Sequence, residues 1–140
     1  MGKYVEIFKW YFRDPKEVRI KACQKTVDDY KAGKIGNDIY TQIHSKVLPL
    51  LINQRDTIKE ALTYFTPEEQ AVITESYAPT DTSMTVGAQF NMQEQQVKNI
   101  LSSFTSRYKK LGGNDTPDSV SMKPILDYHK AEKKHERSSN

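Results

Sequence analysis

The side chains best placed for chemistry form one polar run, Gln93-Glu94-Gln95-Gln96, followed closely by Lys98 and Asn99. Gln and Asn can each pair two-pronged with an adenine edge, Glu can accept from cytosine, and Lys can meet guanine or phosphate. Arg107, Lys109 and Lys110 follow downstream and offer contacts to a phosphate backbone. The chemistry on offer is recognition of double-stranded DNA rather than bond making. Groups suited to catalysis are dispersed. His44, His129 and His135 have no second ligand at metal spacing. Cys23 stands inside a helical run without a matched base and reads as a buried thiol. Asp28-Asp29 and Glu68-Glu69 read as solvated helix-surface charge, and no glycine-rich phosphate loop is present. The expectation is a protein that is not an enzyme and has no catalytic residues, metal or cofactor.

What must position the polar run is a set of helices. Proline and glycine are scarce before residue 111, and no Asn-Gly or Asp-Gly turn separates two alternating runs. "DPKEVRIKACQKTVDDYKAG" predicts a helix with Asp14 as N-cap, Pro15 at the first position, Glu17 three after the cap and a stop at Gly33. Val18, Ala22, Lys25/Thr26 and Tyr30 give it a modest apolar face. Asn37 or Asp38 starts a second helix bearing Ile39, Ile43, Val47 and Leu50/Leu51, with Pro49 expected to kink or split it. Ile58, Ala61, Leu62 and Phe65 continue the stripe. "TPEEQAVITESYA" is a stronger start, with Thr66 capping, Pro67 first, Glu69 completing a capping box and Pro79 closing. Thr82 or Ser83 caps a short helix carrying Val86 and Phe90, and Gly87 marks a close helix crossing. Asn91 suits a left-handed turn. A last helix then runs from about Gln93 to Lys110, with Val97, Ile100, Leu101, Phe104, Tyr108 and Leu111 inward. The apolar residues serve plain helix packing equally well, so they do not by themselves decide for DNA reading.

Length and charge bound the rest. A chain of 140 residues with 36% apolar residues fits one small domain with a tail. One cysteine, no long apolar run and no leader-like start predict a cytoplasmic protein with no membrane partner. Residues 1–59 carry 12 basic and 7 acidic groups, residues 60–97 carry six acidic groups and no Lys or Arg, and residues 98–140 carry 9 basic and 5 acidic groups. The acidic middle predicts weak DNA binding by the isolated chain, with dimerisation or a protein partner supplying the rest. The aromatic start, "YVEIFKWYF", reads as a core strand or helix, or as a contact with a partner. "GGNDTPDSVS" reads as a linker, and the tail beyond it is polar and basic apart from Ile125, Leu126 and Tyr128. The tail is expected to be mobile or to order on binding.

Residues 62–111 resemble region four of bacterial sigma factors, which reads the −35 promoter element. The residues that carry the likeness are "LTYFTPEEQAVITESY", "VGAQFNMQ", "VKNI" and "RYKKL". In length and layout the chain is similar to the small phage late transcription regulators of the ArpU, RinA and LtrC kind. The resemblance implies an all-α fold with N-terminal helices (1–60) for a homodimer or polymerase contact. It further implies a sigma-like helix-turn-helix (61–112) and a linker with a basic tail (113–140). It also implies that Glu94, Gln95, Lys98 and Asn99 read bases, with Gln93 near phosphate. The function implied is a sequence-specific regulator, an activator of phage late genes acting with host RNA polymerase in the bacterial cytoplasm. Two other readings stay open: a small terminase-like packaging subunit, and a sigma-like protein–protein adaptor without DNA binding.

Overall fold

A computed structural model describes residues 2–79, 86–124 and 127. Among them every regular element is an α-helix: α1 (Lys3–Arg13), α2 (Val18–Lys31), α3 (Ile39–Leu62), α4 (Pro67–Tyr77), α5 (Val86–Gln89), α6 (Glu94–Lys110) and α7 (Asp118–Ser121). The all-α expectation holds, and no helix among the described residues is long and apolar enough to cross a membrane. The expected caps at Thr82 or Ser83 and the apolar tail residues Ile125, Leu126 and Tyr128 lie outside the described residues.

The aromatic start folds as α1, and its spacing buries Ile7 and Phe8 completely. Phe8 lies at the centre of the first core cluster. The rings of Phe104, Tyr108 and Tyr77 stand 4.8, 5.2 and 5.4 Å from it. Ile58 and Ala61 of α3 and Ile73 of α4 close this cluster. A second cluster joins Ile20, Cys23 and Val27 of α2 to Ile43, Val47, Leu48 and Leu51 of α3. The 24-residue α3 is thus a spine, with its first half in one cluster and its second half in the other. That division explains why Pro49 neither splits nor ends the helix. Its ring is on the exposed side, and packing on both flanks offsets the roughly 3 kcal/mol that an internal proline costs.

Three expectations are corrected. The second helix begins at Val18, not Pro15. Glu17 adopts a left-handed conformation (φ 54°), while the Asp14 carboxylate reaches past it to accept from the Val18 and Arg19 amides at 2.9 and 3.0 Å. The buried face of α2 is Ile20, Cys23 and Val27, whereas Val18 is 61% exposed and Tyr30 is also exposed. Ile20, Cys23 and Val27 are the more apolar stripe, and it packs on α3. Residues 112–121, read as a linker from composition, are instead a strap that ends in α7 and is fastened to four helices. The Tyr108 hydroxyl donates to the Asn114 carbonyl (2.6 Å), and the Asn114 amide donates to Asn53 Oδ1 (2.7 Å). Buried Gln54 donates through Nε2 to the Thr116 carbonyl (2.8 Å) and to Asn114 Oδ1 (3.2 Å). Arg19 holds Asp118 with two bonds of 2.6 and 2.9 Å, and Lys3 pairs with Asp115 at 2.8 Å.

Candidate nucleic-acid interface

The expected signals around α4 are realised in detail. Thr66 Oγ1 accepts from the Glu69 amide (3.2 Å), and Glu69 Oε1 accepts from the Thr66 amide (2.9 Å), completing the capping box. Val72 and Ile73 are fully buried beneath this start. The short α5 ends in a turn at Asn91, whose φ of 55° is the left-handed conformation its residue type favours. Gly87 is buried, but the reason differs from a helix crossing. A Cβ there would lie 2.7 Å from the Met92 carbonyl oxygen, and the Met92 amide donates to the Gly87 carbonyl at 2.7 Å. Gly87 therefore lets the turn's own backbone fold back on α5. The turn delivers the chain to α6, with Gln93 at the N-cap position and no side-chain cap bond.

Val97, Phe104 and Tyr108 bury one side of α6 in the core, with Ile100, Leu101 and Leu111 packed beside them. The opposite side is left in solvent. Gln93, Glu94, Gln95, Gln96, Lys98 and Asn99 are all exposed in the first turns, Gln95 and Asn99 opposite the core and Gln93 and Glu94 at the helix start in line with Val97 and Leu101. Gln95 Nε2 donates to Asn99 Oδ1 at 2.9 Å, which orients both amides across one turn. The three downstream cations do not form one patch. The Arg107 guanidinium lies 4.1 Å over the Tyr64 ring, Lys109 Nζ lies 4.6 Å over Tyr4, and Lys110 is exposed. At about 100° per residue, Lys98 and Lys109 fall on one edge of the exposed side, and Arg107 falls on the other.

Of the six acidic groups in residues 60–97, one stands on α6, and Asp81 lies outside the described residues. Along α6 the only carboxylate is Glu94, against Lys98, Arg107, Lys109 and Lys110. Glu68 and Glu69 belong to the first turn of α4, where the helix dipole favours them and Glu69 is engaged in the cap. Sequence reasoning overlooked Ser102, Ser103 and Ser106, which lie on the same exposed strip as Gln95 and Asn99. The helical period applied past Asn99 would have found them. No protein-family model, curated protein or solved structure matches this chain.

A second polar cluster lies away from this face. Cys23 is fully buried, with Arg19 Nη1 donating to its sulfur at 2.9 Å and His44 Nδ1 3.3 Å away. Burial pushes the thiol above its ordinary pKa, although Arg19 opposes it. Burial first, and Arg19 second, hold the His44 imidazole below its ordinary value. Both groups are uncharged near neutral pH, which suits packing more than nucleophilic attack. Among the described residues no three His, Cys, Asp or Glu side chains gather as a metal site.

Proposed function

We propose that the chain is a sequence-specific DNA-binding transcription regulator in which α4, α5 and α6 act as a helix-turn-helix. The observation that carries this reading is the two-sided character of α6. One side is locked into an aromatic core, and the other presents an exposed, hydrogen-bonding strip without a carboxylate, the one acid of the helix, Glu94, standing in its first turn off that strip. A helix about 10–12 Å across matches a major groove about 12 Å wide. Gln95 and Asn99 read base edges, Lys98 meets guanine or phosphate, and the downstream cations approach phosphates. The capping box, which fixes the start of α4, and the left-handed Asn91, which fixes how the chain turns from α5 into α6, support the reading.

The resemblance of residues 62–111 to sigma region four supports a regulator that activates phage late genes with host RNA polymerase. On that reading the N-terminal helices make a dimer or polymerase contact. The test is selection of duplexes from a random pool by the full chain, followed by binding titrations with Lys98→Ala and Asn99→Ala. Enrichment of one motif, with each change weakening binding to it by about tenfold, supports the proposal. A chain that enriches no motif, or binds equally after both changes, is a protein–protein adaptor instead. A ring of many subunits in solution would favour the packaging-subunit reading.

A further inference from the structure

We infer that DNA docks across the middle of α6, centred on Asn99 to Ser106, with a phosphate strand seated in a concavity on each side of a serine ridge. The inference rests on the DNA-binding reading and adds to it where on the helix the duplex lies. Gln95, Asn99, Ser102, Ser103, Ser106 and Lys110 occupy an arc of about 100° opposite the buried residues. Within that arc the side chains shrink from amides at 95 and 99 to hydroxymethyl groups at 102, 103 and 106. The helix backbone can therefore come closest to a surface at its middle, not at its first turn.

Two shallow, open hollows flank this low ridge. One, of about 400 Å³, is lined by Ser102, Thr105, Ser106 and Lys109 against Tyr77. The other, of about 300 Å³, is lined by Ser102, Ser103, Ser106, Arg107 and Lys110. Each hollow combines hydroxyl donors with at least one cation, and no carboxylate is among the described residues that line it. That donor set suits a phosphodiester, whose oxygens accept from hydroxyls and pair with Lys or Arg. Their placement on both sides of one helix matches the two phosphate strands that border a major groove. Arg107 is held in position by Tyr64 and Lys109 by Tyr4, so both cations are partly ordered before binding. The one carboxylate of α6, Glu94, stands at the far N-terminal end, where a phosphate would be repelled. A duplex resting only on the first turn would meet Glu94 and miss three of the four cations.

The test uses the full chain and a labelled duplex recovered by its own selection. Ser102→Leu/Ser106→Leu raises the ridge, and Ser106→Asp places a charge between the hollows. Both positions changed are in solvent, so helical content and melting temperature serve as folding controls. Each of the two variants should weaken binding at least about tenfold at fixed salt. Lys109→Gln and Lys110→Gln should each lower the slope of log K against log salt by about 0.9, because one cation leaves each hollow. Wild-type binding that persists within twofold in both serine variants, with unchanged slopes, would overturn mid-helix docking while leaving DNA binding intact. A wild-type chain that binds no duplex overturns the DNA-binding reading, and this inference falls with it.

Discussion

Gly113→Ala is the substitution whose cost follows most directly from the geometry. A Cβ at residue 113 would stand 2.5 Å from Tyr108 Cε2 and closer still to two other ring atoms. Ordinary contact needs about 3.4–4 Å, so the ring or the strap must move by about 1 Å. The ring has nowhere to go. Tyr108 is fully buried, with Tyr4 edge-on at 6.0 Å and Phe8 edge-on at 5.2 Å. The strap must yield instead, and it carries the Asn114 carbonyl that accepts from Tyr108 at 2.6 Å. Overpacking costs about 1–3 kcal/mol, and a lost hydrogen bond that strands a buried acceptor adds about 1–2 kcal/mol. The alanine restricts the unfolded chain and returns about 0.4–1 kcal/mol. The net expectation is a loss of about 2–3 kcal/mol, or a melting temperature lower by roughly 10 °C for a chain of this size. Urea titration followed by circular dichroism measures it. A Gly113→Ala chain within about 0.5 kcal/mol of wild type would refute the packing of the strap on Tyr108.

Four further outcomes test separate parts of the account. Thr66→Ala removes one half of the capping box and should cost about 1 kcal/mol of stability in the same urea titration, with DNA affinity weakened through the looser α4. Asp118→Ala strands the partly buried Arg19 guanidinium and should destabilise by about 1–3 kcal/mol, whereas a surface pair such as Lys25 with Asp29 should register little when broken. His44 binds its proton less readily in the fold than in the unfolded chain, so its contribution is complete above about pH 6.5 and fades as pH falls through its lower folded value. His44→Gln should therefore flatten the acid-side decline of stability, and an unchanged decline would show the imidazole to be solvated like a free one. Cys23, with no exposed surface and a thiol pushed upward, should react with a thiol reagent far more slowly in the folded chain than in urea; equal rates would contradict its burial.

The parts of the structure that could be read from sequence are those specified within a few residues. Thr66, Pro67 and Glu69 fix the start of α4, Asp38 accepts from the Thr41 amide at 2.9 Å to start α3, and Gly33 (φ 77°) closes α2. Asn91 takes its left-handed turn because its short polar side chain tolerates that conformation. The misreadings concern positions whose role depends on distant partners. "GGNDTPDSVS" has the composition of a linker, yet its bonds go to Asn53, Gln54, Arg19 and Lys3, from about 60 to more than 110 residues away in sequence. The start of α2 was misplaced because Asp14 caps from four residues before Val18 rather than adjacent to the first turn. On α6 the residue types of the polar start carry a base-reading signal, while serine carries none by type. What sets the serines apart is the pair of hollows beside them, lined by Lys109 on one side and by Arg107 and Lys110 on the other.

The most direct test of the central claim is a nitrogen-15 spectrum of the full chain titrated with the duplex it selects. The largest amide shifts should fall on α6 from Gln95 through Ser106, with side-chain amide shifts at Gln95 and Asn99 as their mutual bond opens to base edges. Shifts confined to α2 and the first half of α3, or no shifts at all, would contradict it.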